Sequence, residues 1–254
     1  MRRLLESVKY FGLRKLYYLV KSGIASLSEF LVNEGISRKE WQQSLVKRQI
    51  SKTLITDYGG DEGHNSNTTQ YFLGFGLIHY ALVRNSRPKR ILCVGSRKGF
   101  IPAILALACK DNGVGHVGFV DAGYGPEEPT KHWSGVRFWK HMDPAKHFGK
   151  LGVSSYITTH VMTTKEFARR FPDITYQYIY IDGDHSYEGV KLDYELFWPK
   201  LDRHGCMVFH DVVARGRLDQ GKFGIWRFWQ ELSTHSKIIF PFPKESGLGI
   251  LQKP

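Results

Sequence analysis

Two apolar runs of this chain end in acid and imidazole. Tyr178-Ile-Tyr-Ile181 leads into Asp182-Gly-Asp184-His185, and Cys206-Met-Val-Phe209 leads into His210-Asp211. An unbroken β-branched and aromatic run reads as a strand buried on both faces, and Val190, Tyr194 and Phe197 recur at helical spacing between the two runs. The unit is therefore strand, helix, strand. Neighbouring parallel strands lie roughly 5 Å apart, so Asp182, His185, His210 and Asp211 are expected to emerge together at the carboxyl edge of a sheet, where open α/β folds bind ligands. Such a group suits a divalent metal with a proton acceptor beside it. Asp182-Gly-Asp184-His-Ser186 also begins like a calcium loop, but its sixth position is Tyr187 instead of Gly and its twelfth is Asp193 instead of Glu, which excludes an EF-hand. Asp184 is a candidate N-cap for the helix that follows, and His185 in its plainest reading is a residue at that helix start.

The elements that would position these groups can be followed along the chain. Arg90 to Val94 reads as a strand, Gly95-Ser-Arg-Lys-Gly99 as a tight loop, and Phe100 to Cys109 as a helix with Ile101, Leu105 and Ala108 on one side. Val117 to Val120 is a second strand ending at Asp121, and Ser155 to Val161 a third. Thr163-Thr-Lys-Glu166 is a capping box opening the helix Phe167 to Phe171. Gly224 to Leu232 reads as a helix, and Lys237 to Phe240 and Leu248 to Leu251 as closing strands. Upstream, Gly59 to Asn67 is a polar loop, and Thr68 or Thr69 would cap a helix from Gln70 to Arg84. Strand and helix alternate, which predicts a doubly wound α/β sheet. Residues 1–60 form a separate helical extension: Leu13, Leu16, Val20, Ile24, Leu27 and Leu31 share one stripe, Arg14, Lys15 and Lys21 lie opposite, and Ser37-Arg-Lys-Glu40 is a second capping box. This extension is expected to cover the site, pair with a second copy, or lie on an anionic membrane surface.

With 254 residues, 42% of them hydrophobic, the chain can bury one sizeable core, which predicts one domain over residues 61–254 plus the extension. The net charge is +12, from 36 Lys and Arg against 24 acids, and this points to a phosphorylated or polyanionic partner as well as to a solvated basic surface. There is no zinc-finger spacing and no RNA-recognition aromatic signature, so nucleic acid is disfavoured as the partner. Cys93, Cys109 and Cys206 form no Cys-x-x-Cys, which argues against a disulfide framework or thiolate metal site and for a reducing compartment. Lys9, Arg14, Lys15 and Lys21 break the N-terminal apolar stretch short of the ~18 residues a membrane span needs. The expectation is a soluble, cytoplasmic protein, with peripheral membrane contact left open.

A glycine turn between the first strand and first helix lets backbone amides approach a ligand, and the helix N-terminus favours negative charge there. Gly95-Ser96-Arg97 lacks the middle glycine of the dinucleotide fingerprint, so pyrophosphate is disfavoured. A ligand with a small carboxylate at Gly95, Ser96 and Gly99 and a ribose held by Asp121 fits better. S-adenosylmethionine (SAM) has those groups, with Thr163 placed near its adenine. Taken together, Gly95 to Gly99, Asp121, Tyr180-Ile-Asp182-Gly-Asp-His185-Ser-Tyr-Glu-Gly-Val190, Val208-Phe-His210-Asp211 and Ser246-Gly-Leu-Gly-Ile250 resemble the class I SAM-dependent methyltransferases, with a Rossmann-like sheet. More narrowly they resemble metal-dependent sugar O-methyltransferases of macrolide tailoring. The resemblance covers roughly residues 60–254 and is specific in Asp182 to Val190. It implies a metal held by Asp182 and the His210-Asp211 pair, with His185 as general base. His210 stands where such enzymes often carry a second carboxylate, so magnesium and the nitrogen-tolerant manganese, iron and zinc all stay open, as does a supporting place for His210 behind the ligands.

Acceptor choice is expected from the insert Gly123 to Gly149, with Trp133, Arg137, Trp139 and His141, and from Val212 to Phe223, with Arg215, Arg217 and Lys222. Aromatic rings and guanidiniums suit a sugar, nucleotide-sugar or glycolipid that carries phosphate. Two rivals remain at this level: an RNA methyltransferase, which the charge would explain although no Asn/Asp-Pro-Pro-Tyr motif is present, and a non-catalytic binding protein on the same fold.

Overall fold

The apolar runs assemble as the alternation predicts. The computed structural model describes residues 48–60, 63–67, 71–125, 136–215, 223–232, 236–241 and 246–254. The chain divides into two units, residues 1–48 and 49–254. The Leu13 to Leu31 stripe, the Ser37 capping box, Thr68, Thr69, Trp133, Arg217 and Lys222 lie outside the described residues.

In the second unit, β1 (Arg90–Val94), β2 (His116–Asp121), β3 (Ile157–Val161), β4 (Tyr176–Ile181) and β5 (Leu201–His210) pair in parallel. β6 (Lys237–Phe240) and β7 (Leu248–Gln252) add antiparallel pairs. The seven-stranded order is β3-β2-β1-β4-β5-β7-β6. Chain reversal between β2-β1 and β4 leaves a crevice at the carboxyl ends of β1 and β4, which is where ligands bind in open sheets.

Helices cover both faces. In β4, residues alternate sides with the two-residue period of a strand. Ile179 and Ile181 belong to a core with Phe167 of α6 (Thr164–Arg170), Val190 and Phe197 of α7 (Tyr187–Phe197), and Phe228 and Trp229 of α8 (Ile225–Glu231). On the other face, His79 of α2 (Phe75–Ser86) reaches the Tyr178 hydroxyl with Nδ1 at 2.6 Å and sets its ring edge against Tyr180. α3 (Phe100–Asn112) packs against α2, β1 and β2. It starts at Gly99, whose φ of 94° is a left-handed conformation that glycine takes without strain, and stops at Gly113 (φ 64°). α1 (Arg48–Tyr58) joins the insert after β2, because the buried Tyr58 hydroxyl donates to the His147 carbonyl at 2.5 Å. That insert forms α4 (Phe138–His141) and α5 (Pro144–Gly149), the latter capped by the Asp143 carboxylate.

Three local readings change. α2 begins at Phe75, not Gln70: Asn67 and Phe72 exchange two backbone hydrogen bonds, and Gly74 turns with φ 53° before the helix can start. Ser186, not Asp184, is the N-cap of α7; its hydroxyl accepts from the Gly189 amide, while Asp184 Oδ1 accepts from the Ser186 amide one step upstream. Trp139, expected at the acceptor surface, is buried and stacked on Phe148 beneath Gly99. The capping box at Thr163 and Glu166 forms as expected.

Candidate active site

Strand register aligns the site. Val120, Val94 and Ile181 are partners across β2, β1 and β4, and Ile181 pairs with Phe209 of β5. The next residue on each strand is therefore Asp121, Gly95, Asp182 and His210, one row along the carboxyl edge. At Gly95, φ is 71° and a Cβ would stand 2.1 Å from the Asp182 carbonyl, so only glycine lets β1 and β4 close this tightly. Asp211 also adopts a left-handed conformation, φ 59°, which costs a non-glycine residue on the order of 1–3 kcal/mol and is concentrated at functional sites.

Four side chains converge there. His185 Nε2 lies 3.3 Å from Asp182 Oδ1, and its Nδ1 lies 3.4 Å from Asp211 Oδ2. His210 Nδ1 lies 3.4 Å from Asp182 Oδ1 and 3.2 Å from Asp211 Oδ1. Tyr180 donates its hydroxyl to Asp182 Oδ2 at 2.9 Å. The two imidazoles differ in access: the His185 side chain is 19% exposed and His210 5%. Phe223 leans over His185 with ring centres 4.7 Å apart.

Burial would raise the Asp182 carboxyl, but the His210 charge and the hydrogen bonds of both imidazoles outweigh it and hold the group well below the usual carboxylate range. Burial would lower His185; its bond to Asp182 and the Asp211 charge prevail, and it is raised. His210 is raised well above its ordinary value for the same reason, the two carboxylates overcoming burial. The pocket therefore holds the Asp182 carboxylate ionised between two imidazoles. Asp182, His185 and Asp211 offer ligand atoms within 4.8 Å of one another, with His210 Nδ1 against both carboxylates. Oxygen and imidazole donors of this kind fit a divalent metal.

Two cavities meet at this row. One of about 240 Å³ is lined by Gly95, Asp121, Met162, Thr163 and Asp184 among others. The other, of about 300 Å³, reaches from Gly95, Ser96 and Asp121 to Asp182, His185 and Asp211. Gly95 and Asp121 line both. Asp121 Oδ1 accepts from the Gly123 amide at 2.8 Å and Oδ2 from the Ser96 amide at 3.3 Å. Each carboxylate oxygen keeps a further lone pair for a ligand hydroxyl. Burial pushes this carboxyl up to about 6, against the pull of those two amides. Thr163 also lines the first cavity, but its hydroxyl is engaged by Glu166 Oε2 at 2.7 Å. The glycine turn, the acid at the end of β2 and the cavity between them fit the aminoacyl and ribose ends of SAM.

Gly63 and His64, which sequence reading left in a polar loop, belong to this site. The Gly63 carbonyl accepts from Ser246 Oγ at 2.8 Å and stands 3.0 Å from His210 Nε2, 147 residues away in sequence. His64 packs between Phe100 and His210, and burial lowers its pKa to about 3. The cations Arg97 and Lys98 line the second cavity. Arg215 instead sets its guanidinium over Trp226.

Known proteins share this fold. Residues 92–212 match the family Methyltransf_24, described as a methyltransferase domain. An uncharacterized protein of Sinorhizobium fredii, y4gI, is 28% identical over 186 residues, covering 71% of this chain but only 19% of that longer protein. Among solved structures, the O-methyltransferase TomG of Streptomyces achromogenes, in complex with SAM, superposes with a TM-score of 0.55 at 16% identity over 84% of this chain and 94% of its own. The Bacillus cereus O-methyltransferase, in complex with SAH (S-adenosylhomocysteine), gives 0.55 at 14% identity over 85% and 96%. SAH-bound PaMTH1 of Podospora anserina gives 0.53 at 15% over 82% and 86%. At these identities the structural likenesses establish the fold alone, and the sequence match is a similarity to a methyltransferase domain over residues 92–212. The fold is the Rossmann-like fold of the methyltransferases, and residues 92–212 resemble a methyltransferase domain.

Proposed function

We propose that the protein is an O-methyltransferase that moves the methyl group of SAM to a hydroxyl of a sugar, glycan or glycosylated small molecule, with a divalent metal, magnesium or manganese, and with His185 as general base. The observation that carries this reading is the acid-imidazole cluster, with contacts of 3.2–3.4 Å, opening into the same cavity as Gly95 and Asp121. When bound, SAM supplies an electrophilic methyl on sulfur, and a divalent ion makes a neighbouring hydroxyl more acidic.

The chain's own residues then divide the work. Gly95, Ser96 and Gly99 shape the turn that receives the aminoacyl end of the cofactor at the positive end of α3, their own amides donating to the Val120 carbonyl, the Asp121 carboxylate and the Ser96 carbonyl. Asp121 accepts from the ribose hydroxyls, and Thr163 shapes the wall beside the adenine. Asp182 and Asp211 hold the ion, with Tyr180 fixing the Asp182 carboxylate. His185, the more open imidazole, takes the acceptor's proton at a ring nitrogen, while buried His210 braces the carboxylates. Phe223 and Phe100 exclude water. Arg97 and Lys98 suit an acceptor that carries phosphate. A homo-oligomer and contact with a membrane surface through the N-terminal helical region, residues 1–60, belong to the same reading.

The test is methyl transfer from labelled SAM to a panel of sugars, sugar phosphates and nucleotide-sugars, with magnesium or manganese and with EDTA. Transfer that needs the ion and falls at least about a hundredfold in His185→Gln supports the proposal. Transfer to none of them, or transfer indifferent to EDTA and to His185, refutes it.

A further inference from the structure

We infer that Asp184, just before α7, accepts a hydrogen bond from the exocyclic amino group of the cofactor's adenine and is the residue that selects this base over a 6-oxo purine; this rests on the SAM site proposed above. The first cavity is where the base must go. It shares Gly95 and Asp121 with the second cavity, but Asp182, His185 and Asp211 line only the second. A cofactor with its ribose on Asp121 and its methyl group toward that cluster therefore leaves its base in the first. The walls there include the loop after β3, from Met162 to Lys165, and the stretch from Gly183 into α7. An adenine brings to them an amino group that donates, beside ring nitrogens that accept.

The loop after β3 has little left to accept with. The Thr163 amide and hydroxyl both donate to Glu166 Oε2, at 2.9 and 2.7 Å. The hydroxyl takes the Glu166 amide in return, and the Thr163 carbonyl takes the Phe167 amide at 2.9 Å. Lys165 carries donors only. The capping box that starts α6 thus consumes the groups nearest the base on that side, and Thr164 alone keeps a neutral hydroxyl there.

The opposite wall is built around a carboxylate. Asp184 Oδ1 accepts from the Ser186 amide at 3.0 Å. A Cβ at Gly189 would stand 2.4 Å from Asp184 Cγ, so glycine in the first turn of α7 is what lets the carboxylate lie there. Behind it, Asp193 is 3% exposed and takes a place in the apolar stripe of Val190 and Phe197. A Cβ at Gly183 would come within 3.2 Å of Asp193 Oδ2, so the loop that carries Asp184 rests on this second acid. Ionised carboxylates only accept. Such a wall favours an amino group and opposes a carbonyl oxygen in the same place, which is discrimination by attraction and repulsion together.

The test titrates the full chain by calorimetry with SAH and, separately, with S-inosylhomocysteine, in which a carbonyl oxygen replaces the amino group. Wild type should prefer SAH by about tenfold or more, the worth of one hydrogen bond to a charged group. Asp184→Asn keeps an oxygen for the Ser186 amide and turns an amide N–H to the ligand, so the preference should shrink to about threefold or less, or reverse. Asp184→Ala, which removes the acceptor, should also lose it and decides the matter if the asparagine variant does not fold. Damage to the loop alone would weaken both probes together and leave their ratio unchanged. Equal wild-type affinities, a wild-type ratio retained in both Asp184 variants, or a ratio lost only in Thr164→Val overturns the inference and leaves the SAM site standing. Absence of SAH binding by the folded wild type removes that site and this inference together.

Discussion

Lowering the pH should weaken SAH binding through one residue, Asp121. Its carboxyl is 8% exposed, and burial raises it to about 6 in spite of the Gly123 and Ser96 amides. Ribose hydroxyls donate to the ionised form, so apparent affinity scales with the ionised fraction. That fraction is about 0.9 at pH 7 and about 0.09 at pH 5, a roughly tenfold loss of affinity. The same shift sets a stability term of opposite sense. A carboxyl raised from 3.8 to about 6 binds its proton more tightly when folded, so its contribution is present below pH 3.8, is lost as pH rises through about 6, and is flat above. The full shift corresponds to about 3 kcal/mol at most. SAH titration by calorimetry between about pH 5 and pH 8 measures the binding limb, and denaturant unfolding of the free protein the stability limb. Asp121→Asn cannot ionise and should show weak binding that no longer follows this pH curve. A wild-type affinity that is flat across the range, or an equal slope in Asp121→Asn, would refute the assignment of ribose binding to this carboxylate.

Other outcomes follow from the same geometry. Gly95→Ala places a methyl against the Asp182 carbonyl at a positive φ; it should lose on the order of 1–3 kcal/mol of stability by denaturant unfolding and most SAH affinity by calorimetry. Tyr180→Phe leaves the largely enclosed Asp182 Oδ2 without its 2.9 Å donor and should cost about 1.5–3 kcal/mol in the same unfolding assay. In transfer assays His185→Gln should reduce kcat by about 10²–10⁴ while SAH affinity stays within about threefold, because the proposed role sets this ring at the acceptor hydroxyl. EDTA should abolish transfer, and readdition of manganese should restore it.

Much of this was legible in the residues because it depends on local pattern. The runs ending at Asp182 and His210 are long, apolar and β-branched, and parallel pairing leaves their last residues no place except the carboxyl edge. The capping box at Thr163 is a four-residue motif, and it forms. What escaped was carried by contacts remote in sequence. The Gly63 carbonyl uses a backbone atom, so nothing in the residue type advertises a bond to His210 147 positions away. His64 in a polar loop offered no periodicity to show that Phe100 and His210 would enclose it. Asp184 and Ser186 are both good caps, and only backbone geometry chose the serine. Trp139 read as an acceptor contact because aromatics in an insert often line a site; here the space under Gly99 claims its ring.

The most direct measurement of the central claim is calorimetric titration of the purified chain with SAH at about pH 7.5, for wild type and Asp121→Ala. One-to-one binding in the micromolar range, weakened by about tenfold or more in the variant, is what a SAM site built from the Gly95 turn and Asp121 predicts. Absence of binding by the folded wild type, or equal binding by Asp121→Ala, would contradict it.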